Sequence, residues 1–215
     1  MMKIPEIKDR RTLYRKLAAA AALVFLATLG TLLARHLNLG PERPAPEYRD
    51  FGPADAPIVI EEFTDFACPA CRHSHSGLAE IEKTYPDKVR VIFKHYPLTN
   101  IHPWSVEAAV RADCAGRQGK FKEYAGLLFE KQSEWVRSRE PQIKFDEFAD
   151  KAGLDRAVLA ACMDDPEMAR QVTGDMAEGD MRGINATPTF FVNGKRAVGF
   201  GQLVDQVRPL IISLK

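Results

Sequence analysis

Charge of one sign does not accumulate over this 215-residue chain: 30 lysines and arginines stand against 29 aspartates and glutamates, for a formal net charge of +1. Such a balance supplies no overall field for a nucleic acid or a strongly acidic substrate, so no nucleic-acid partner is expected. Internal repeats are absent, which excludes a solenoid or an array. Low-complexity sequence is limited to one proline-rich stretch, and long apolar runs to one near the N-terminus. Cysteine is scarce, with four residues, so each can be weighed individually. What is present is ordinary globular material, 46% hydrophobic and 27% charged, enough for one domain of somewhat above typical size.

The charge that exists is placed locally. Residues 1–16 hold six basic side chains against two acidic ones, +4, which leaves −3 for the remainder. An uncharged run of 17 residues follows, Leu17 to Leu33, at the short end of what a membrane-spanning helix needs. A basic segment retained in the cytoplasm (1–16) and a transmembrane signal-anchor (17–35) would export everything after Arg35. A cleaved signal peptide has the same charged-then-apolar order. The sequence ARHLN that ends the run lacks an A-x-A cleavage site, which favours an uncleaved anchor. Residues 36–57 carry Pro41, Pro44, Pro46, Pro53 and Pro57. Each fixes φ and removes a backbone donor, so an extended tether is expected there, with the folded domain over 58–215.

Within that domain, IVIEEFTDF (58–66) and VRVIFKHY (89–96) read as buried strands. Pro69 to Tyr85 between them switches to helical period, with Cys71, Leu78, Ile81 and Tyr85 on one stripe. Strand, helix and strand in that order predict a βαβ unit with a parallel pair. No strand pattern appears from about Trp104 to Gly183, where several helical stripes do. TFFVNGKRAVG then restores strand chemistry, with Asn193-Gly194 as a type I′ hairpin signal, and the chain closes as a helix. The class is α/β, with an all-helical insertion over about 104–183.

The stretch FTDFACPACRHSHS (63–76) concentrates the chemistry. Haem attachment requires C-x-x-C-H, and Arg72 occupies the histidine's place. Zinc would have to draw Cys68, Cys71, His73 and His75 from one eight-residue run, with His73 turned off the Cys71 face, so no metal is assigned. A purely structural disulfide between residues three apart closes almost no loop and gains little. Redox exchange fits better. Cys68 precedes a helix whose free N–H groups and dipole favour a thiolate, with Arg72 and the histidines adding positive potential. Cys71, one turn deeper, suits a resolving thiol. The reading requires Cys68 to be an exposed, readily ionised nucleophile.

FTDFACPAC at a strand-to-helix turn, a helical block and then ATPTFFVNG together resemble the thioredoxin fold with helical insertion of DsbA-like thiol-disulfide oxidoreductases. The resemblance runs from about Asp55 to the C-terminus. It implies a catalytic set of Cys68, Cys71, Glu62 and Pro188, in which the Thr187–Pro188 bond is cis and lies against the couple and Glu62 relays protons beneath it. It also implies that Thr187 hydrogen-bonds an extended substrate backbone, with Pro69 and Ala70 in the substrate-facing turn. No cofactor is implied. The partners implied are thiol-containing exported proteins and a quinone-linked membrane enzyme that reoxidises the couple. Two departures matter: Ala70 stands where DsbA has histidine, and Thr187 is common in disulfide isomerases. An isomerase of the DsbC type carries an N-terminal dimerisation domain, for which the tether leaves no room.

Cys114 and Cys162 lie on apolar helix faces of the insertion, and in an exported protein they are expected to pair, closing a loop worth about 4 kcal/mol. Two buried free thiols are the alternative. Of Glu61 and Glu62 only one can face the core, and burial of Glu62 would raise its pKa. His73, His75, His95 and His102 are expected at the surface or in loops. Trp104 and Trp135 line a peptide groove or, more commonly for lone aromatics, simply pack. The function expected is a single-pass protein of the bacterial inner membrane whose periplasmic domain oxidises client dithiols. The same fold run as a reductase or isomerase, or a thioredoxin-like module that holds peptides or metal without turnover, are the rivals.

Overall fold

The computed structural model describes residues 10–36 and 44–214. The chain divides into an N-terminal unit and a second unit from Pro41 onward. The first is a single helix, α1 (Arg10–His36), about 40 Å long at 1.5 Å per residue. Its window Leu13–Thr31 is long and apolar enough to cross a membrane. The anchor expected over 17–35 lies within α1. Much of the expected basic segment, residues 1–9, and residues 37–43 of the expected tether lie outside the described residues.

The rest of the tether expectation is corrected. Glu47–Arg49 form a 3-10 turn, and the short strand β1 (Asp50–Phe51) pairs antiparallel with the second long strand. Arg49 draws this segment in. Its Nε lies 3.2 Å from Asp113, it pairs with Asp175, and the side chain is fully buried. A buried guanidinium cannot be left without its carboxylates, so the chain entering the domain is held to it by charge despite its prolines.

Strand β2 (Ile58–Thr64) runs parallel to β3 (Val89–His95), and α2 (Pro69–Thr84) connects them. After the insertion, β4 (Thr189–Val192) lies antiparallel to β2 and pairs with β5 (Lys195–Val198), which leads into α9 (Gly199–Ser213). The sheet order is β1-β3-β2-β4-β5. Asn193 and Gly194 both have positive φ, 47° and 80°, as a I′ turn requires. The Asn193 side chain also accepts from Val59 N at 2.7 Å and donates to the Pro57 carbonyl, tying the hairpin to the start of β2.

The insertion consists of α3 (Ser105–Arg117), α4 (Phe121–Glu130), α5 (Gln132–Trp135), α6 (Gln142–Lys151), α7 (Arg156–Met163) and α8 (Pro166–Met181). It builds one core cluster with Phe66 and Phe93. A second core cluster sets Ile58, Ile60 and Val91 of the sheet against Leu78 of α2 and Leu203 and Val207 of α9. Each such buried aliphatic contributes about 1.5–3 kcal/mol. Helices α2 and α9 meet where Gly77 lacks a side chain: a Cβ there would sit 2.1 Å from the Phe200 ring. This architecture is the thioredoxin fold with a helical insertion. Because Thr64 pairs with His95 and Phe63 with Thr189, the ends of β2 and β3 and the start of β4 lie together. That brings the turn after β2 beside residues 187–188.

Candidate active site

Cys68 is the N-cap of α2 and Pro69 its first residue, where the missing proline N–H costs no helix bond. Cys71, one turn in, is sealed at 0% exposure. Cys68 is itself only 8% accessible, less open than the nucleophile expected from the sequence, while Pro69 and Ala70 stand exposed. The reason is the facing loop. The Thr187–Pro188 bond is cis, and the Thr187 carbonyl oxygen lies 3.5 Å from Cys68 Sγ, covering that side of the sulfur. Both cysteines are free thiols.

The two sulfurs have opposite electrostatic settings. The Cys71 side chain, hydrogen-bonded to Cys68, pulls the Cys68 thiol from 9.0 down to about 5, against a desolvation effect in the other direction. Thr187 and the Cys71 and Ala70 backbone amides add to the lowering, the last two as the free donors of a helix start. Burial pushes the Cys71 thiol up, and the neighbouring Cys68 pushes it further. The positive side chains expected to help are not the cause: Arg72 is exposed, and burial lowers the pKa of His75, whose ring stacks on Phe129.

Glu62 is the core-facing member of its pair, at 1% exposure, with its pKa raised from 4.5 to about 8 by burial. Its Oε1 has no hydrogen-bond partner among the described residues. It lines a cleft of about 490 Å³ together with Leu78, Phe93 and Ala125, where Lys122 and Glu82 form an ion pair of 2.9 Å. The Thr64 hydroxyl, two positions along β2, favours the ionised forms of both Glu62 and Cys71. Glu61, on the other face, pairs with Arg182 at 2.8 Å.

Cys114 and Cys162 belong to the helical insertion. Their sulfurs are bonded at 2.06 Å, joining α3 to α7 across 48 residues. Trp135 is fully buried and donates to the Leu128 carbonyl. Trp104 donates to the Ser138 carbonyl, so both tryptophans serve packing. The surface-or-loop expectation is corrected for His95, which is buried in β3 against Asp113 at 3.0 Å; His102 lies in a loop as expected, largely buried, and hydrogen-bonds Asp65 at 2.7 Å.

Several neighbours of the couple escaped the sequence reading. Gln132 of α5 donates to the carbonyls of Phe66 (2.8 Å) and Cys68 (3.0 Å), locking the turn from the insertion side. Asp65, at 1% exposure, accepts from Ala67 N, Leu98 N, the His102 ring and the Ser105 hydroxyl. A sequence signal for Asp65 does exist, a carboxylate three residues before the first cysteine. Three of its four partners come from residues 98–105, which no local pattern connects to it.

A family model described as Thioredoxin matches residues 46–206. Among curated proteins, the chain is 34% identical over 148 residues to the Na(+)/H(+) antiporter NhaA 3 of Salinispora tropica, covering 69% of this chain and 22% of that protein. The chain thus spans about a quarter of the length of the curated relatives it matches. Among solved structures, alpha-DsbA1 of Wolbachia pipientis superposes with a TM-score of 0.68 at 21% identity, over 80% of this chain and 96% of that one. A thioredoxin-like oxidoreductase from Silicibacter pomeroyi does so with a TM-score of 0.64 at 25% identity, over 81% and 95%.

Proposed function

The chain belongs to the thioredoxin family, and on that premise we propose that it is a thiol-disulfide oxidoreductase whose Cys68-Pro69-Ala70-Cys71 couple introduces disulfides into exported proteins. The observation that carries the reading is the opposed setting of two sulfurs one helical turn apart: Cys68 the less buried and acidic, Cys71 sealed and held as a thiol.

In the oxidised couple, a client thiolate attacks Cys68 Sγ, the less buried sulfur. The 68–71 bond breaks with its electron pair on Cys71, and a mixed disulfide forms between client and Cys68. Glu62, protonated at neutral pH with a pKa of about 8, is the proton source for the departing Cys71 sulfur. The cleft on which Glu62 opens is its route to solvent. A second client thiolate then attacks its own mixed-disulfide sulfur. Cys68 leaves readily as an anion because its pKa is low, and the client carries away the new disulfide. Thr187 offers its backbone to an extended client segment beside cis-Pro188, whose own carbonyl is taken by Gly199 N, and exposed Pro69 and Ala70 form the opposite lip. The low Cys68 pKa favours the reduced couple over the disulfide, which sets the direction of electron flow toward the protein.

Helix α1 serves in this reading as an uncleaved anchor in the bacterial inner membrane, holding the domain on the periplasmic side. There a quinone-linked membrane enzyme would return the couple to the disulfide. The reduction potential of the 68/71 couple tests the direction. Oxidase work requires a value near that of DsbA, about −120 mV, and a value near that of thioredoxin, about −270 mV, would reassign the protein to reduction or isomerisation.

A further inference from the structure

The turn that presents Cys68 is held from beneath by one carboxylate. Asp65 closes the turn with its backbone carbonyl, which accepts from Cys68 N at 3.0 Å. Its Oδ1 accepts from Ala67 N at 2.8 Å and from the Ser105 hydroxyl at 2.5 Å. Its Oδ2 accepts from Leu98 N at 2.9 Å and from His102 Nδ1 at 2.7 Å. A carboxylate has about four acceptor sites, and here all four are used, by donors from the turn, the segment after β3 and the start of α3. The backbone N–H of the same residue points at Cys71 Sγ, 3.5 Å away. A side chain clamped at four points on its far end therefore fixes the orientation of the one peptide N–H aimed at the buried sulfur.

That sulfur is where charge develops. When a thiolate attacks Cys68 Sγ, one sulfur–sulfur bond forms and the 68–71 bond breaks. The electron pair of the broken bond goes to Cys71 Sγ, which is briefly an anion in a site that burial makes hostile to anions, before it takes one proton. A preoriented donor aimed at developing charge lowers the barrier without reorganising during the step. We propose that Asp65 is a positioning residue for disulfide exchange: its clamped carboxylate aims its own N–H at Cys71, so that this sulfur is stabilised as the leaving group. The inference rests on Cys71 being the sulfur that departs in the reading above. It adds a residue outside the C-x-x-C and cis-proline motifs and gives His102 and Ser105 a shared task.

An amide in place of the carboxylate keeps the shape but offers one acceptor oxygen and two N–H donors, so two of the four donors lose their acceptor. Reduction of the 68–71 disulfide by dithiothreitol, followed by rapid mixing and thiol trapping, isolates the step without any client. Asp65→Asn is expected to slow it about tenfold, short of the 10²–10³ lost with a full oxyanion-hole donor because the N–H remains but is no longer held. Ser105→Ala, which keeps the carboxylate and removes one anchor, is expected to slow it two- to threefold and covers the case in which the Asn variant does not fold. The discriminating measurement is the Cys68 thiolate titration by absorbance at 240 nm in a Cys71→Ser background. It should not move when Ser105→Ala is added, because that variant leaves the carboxylate charge in place and the device acts on the other sulfur. Lower thermal stability with reduction rates within a factor of two of wild type would make Asp65 a structural clamp only and overturn the proposal. A Cys68 titration that moves with Ser105→Ala would overturn it too. Neither result touches the parent reading, which fails separately if the wild-type disulfide does not oxidise client dithiols.

Discussion

The molecule carries two cysteine pairs, and they differ in almost every physical respect. Cys114 and Cys162 are 48 residues apart, bonded, and set on helices of the insertion. Cys68 and Cys71 are three apart, free, and set at the start of a helix where the sheet ends. Closing the long loop removes much of the freedom of the unfolded chain, whereas closing the short one removes almost none. The first bond is therefore useful because it stays shut, and the second only if it opens and closes. Surroundings follow the same division. All four cysteines belong to one apolar cluster, but only the 68/71 sulfurs receive backbone and side-chain donors that separate their acidities.

The largest effect that bears on this contrast is all or none. Cys68→Ser should abolish oxidation of a reduced model client, and Cys71→Ser should accumulate client adducts on Cys68 that run as larger species on non-reducing gels. Replacing Cys114 and Cys162 together should leave the oxidation rate within a factor of two at a temperature where the variant stays folded. If the insertion pair proves necessary for exchange under those conditions, the division of labour between the pairs is wrong.

Next in size is stability. Opening the 48-residue loop with Cys114→Ser and Cys162→Ser should cost about 4 kcal/mol, read as a lower urea midpoint with little change in slope. Cys68→Ser and Cys71→Ser together should cost far less relative to the oxidised wild type, since the loop they open has only three residues of separation. Equal losses from the two double variants would show that strain or packing, and not loop closure, governs both bonds.

Much of this contrast was legible in the sequence because it rests on local pattern. Cysteine spacing, Pro69 at a helix start, the 2-residue and 3.6-residue periods and Asn193-Gly194 are all short-range signals, and they place the sheet, the insertion and the couple. What was not legible is long-range. Proline content argued for a tether through residue 57, but Arg49 is pulled into the domain by Asp113 and Asp175, more than sixty positions away. His95 reads as a strand-end residue, and only the fold supplies Asp113 to bury it. Gln132 and Asp65 flank the couple through partners that no spacing rule connects. The openness of Cys68 was overread for the same reason, since the loop that covers it arrives 119 residues later.

The smallest effect is the one that separates the two pairs by pH. A thiol whose pKa falls from 9.0 to about 5 on folding stabilises the folded reduced protein. The sign follows from linkage: the contribution is complete above pH 9, where the unfolded thiol is also ionised, and it is lost as pH falls through 5. The oxidised couple has no such thiol, so the reduced form should be the more stable one at pH 7. The lowering would be worth about 3 kcal/mol there without screening, and solvent screening at this partly covered helix start reduces it to about 1–2 kcal/mol. Urea midpoints of the two redox forms, with thiol counting to confirm that 114–162 stays closed in both, should converge as pH is lowered from 7 to 4. The 114–162 bond contributes no titrating group, so it cannot produce that convergence. A gap that persists at pH 4 would place the stabilisation of the reduced form in packing, and the low pKa of Cys68 would then no longer support the proposed direction of electron flow.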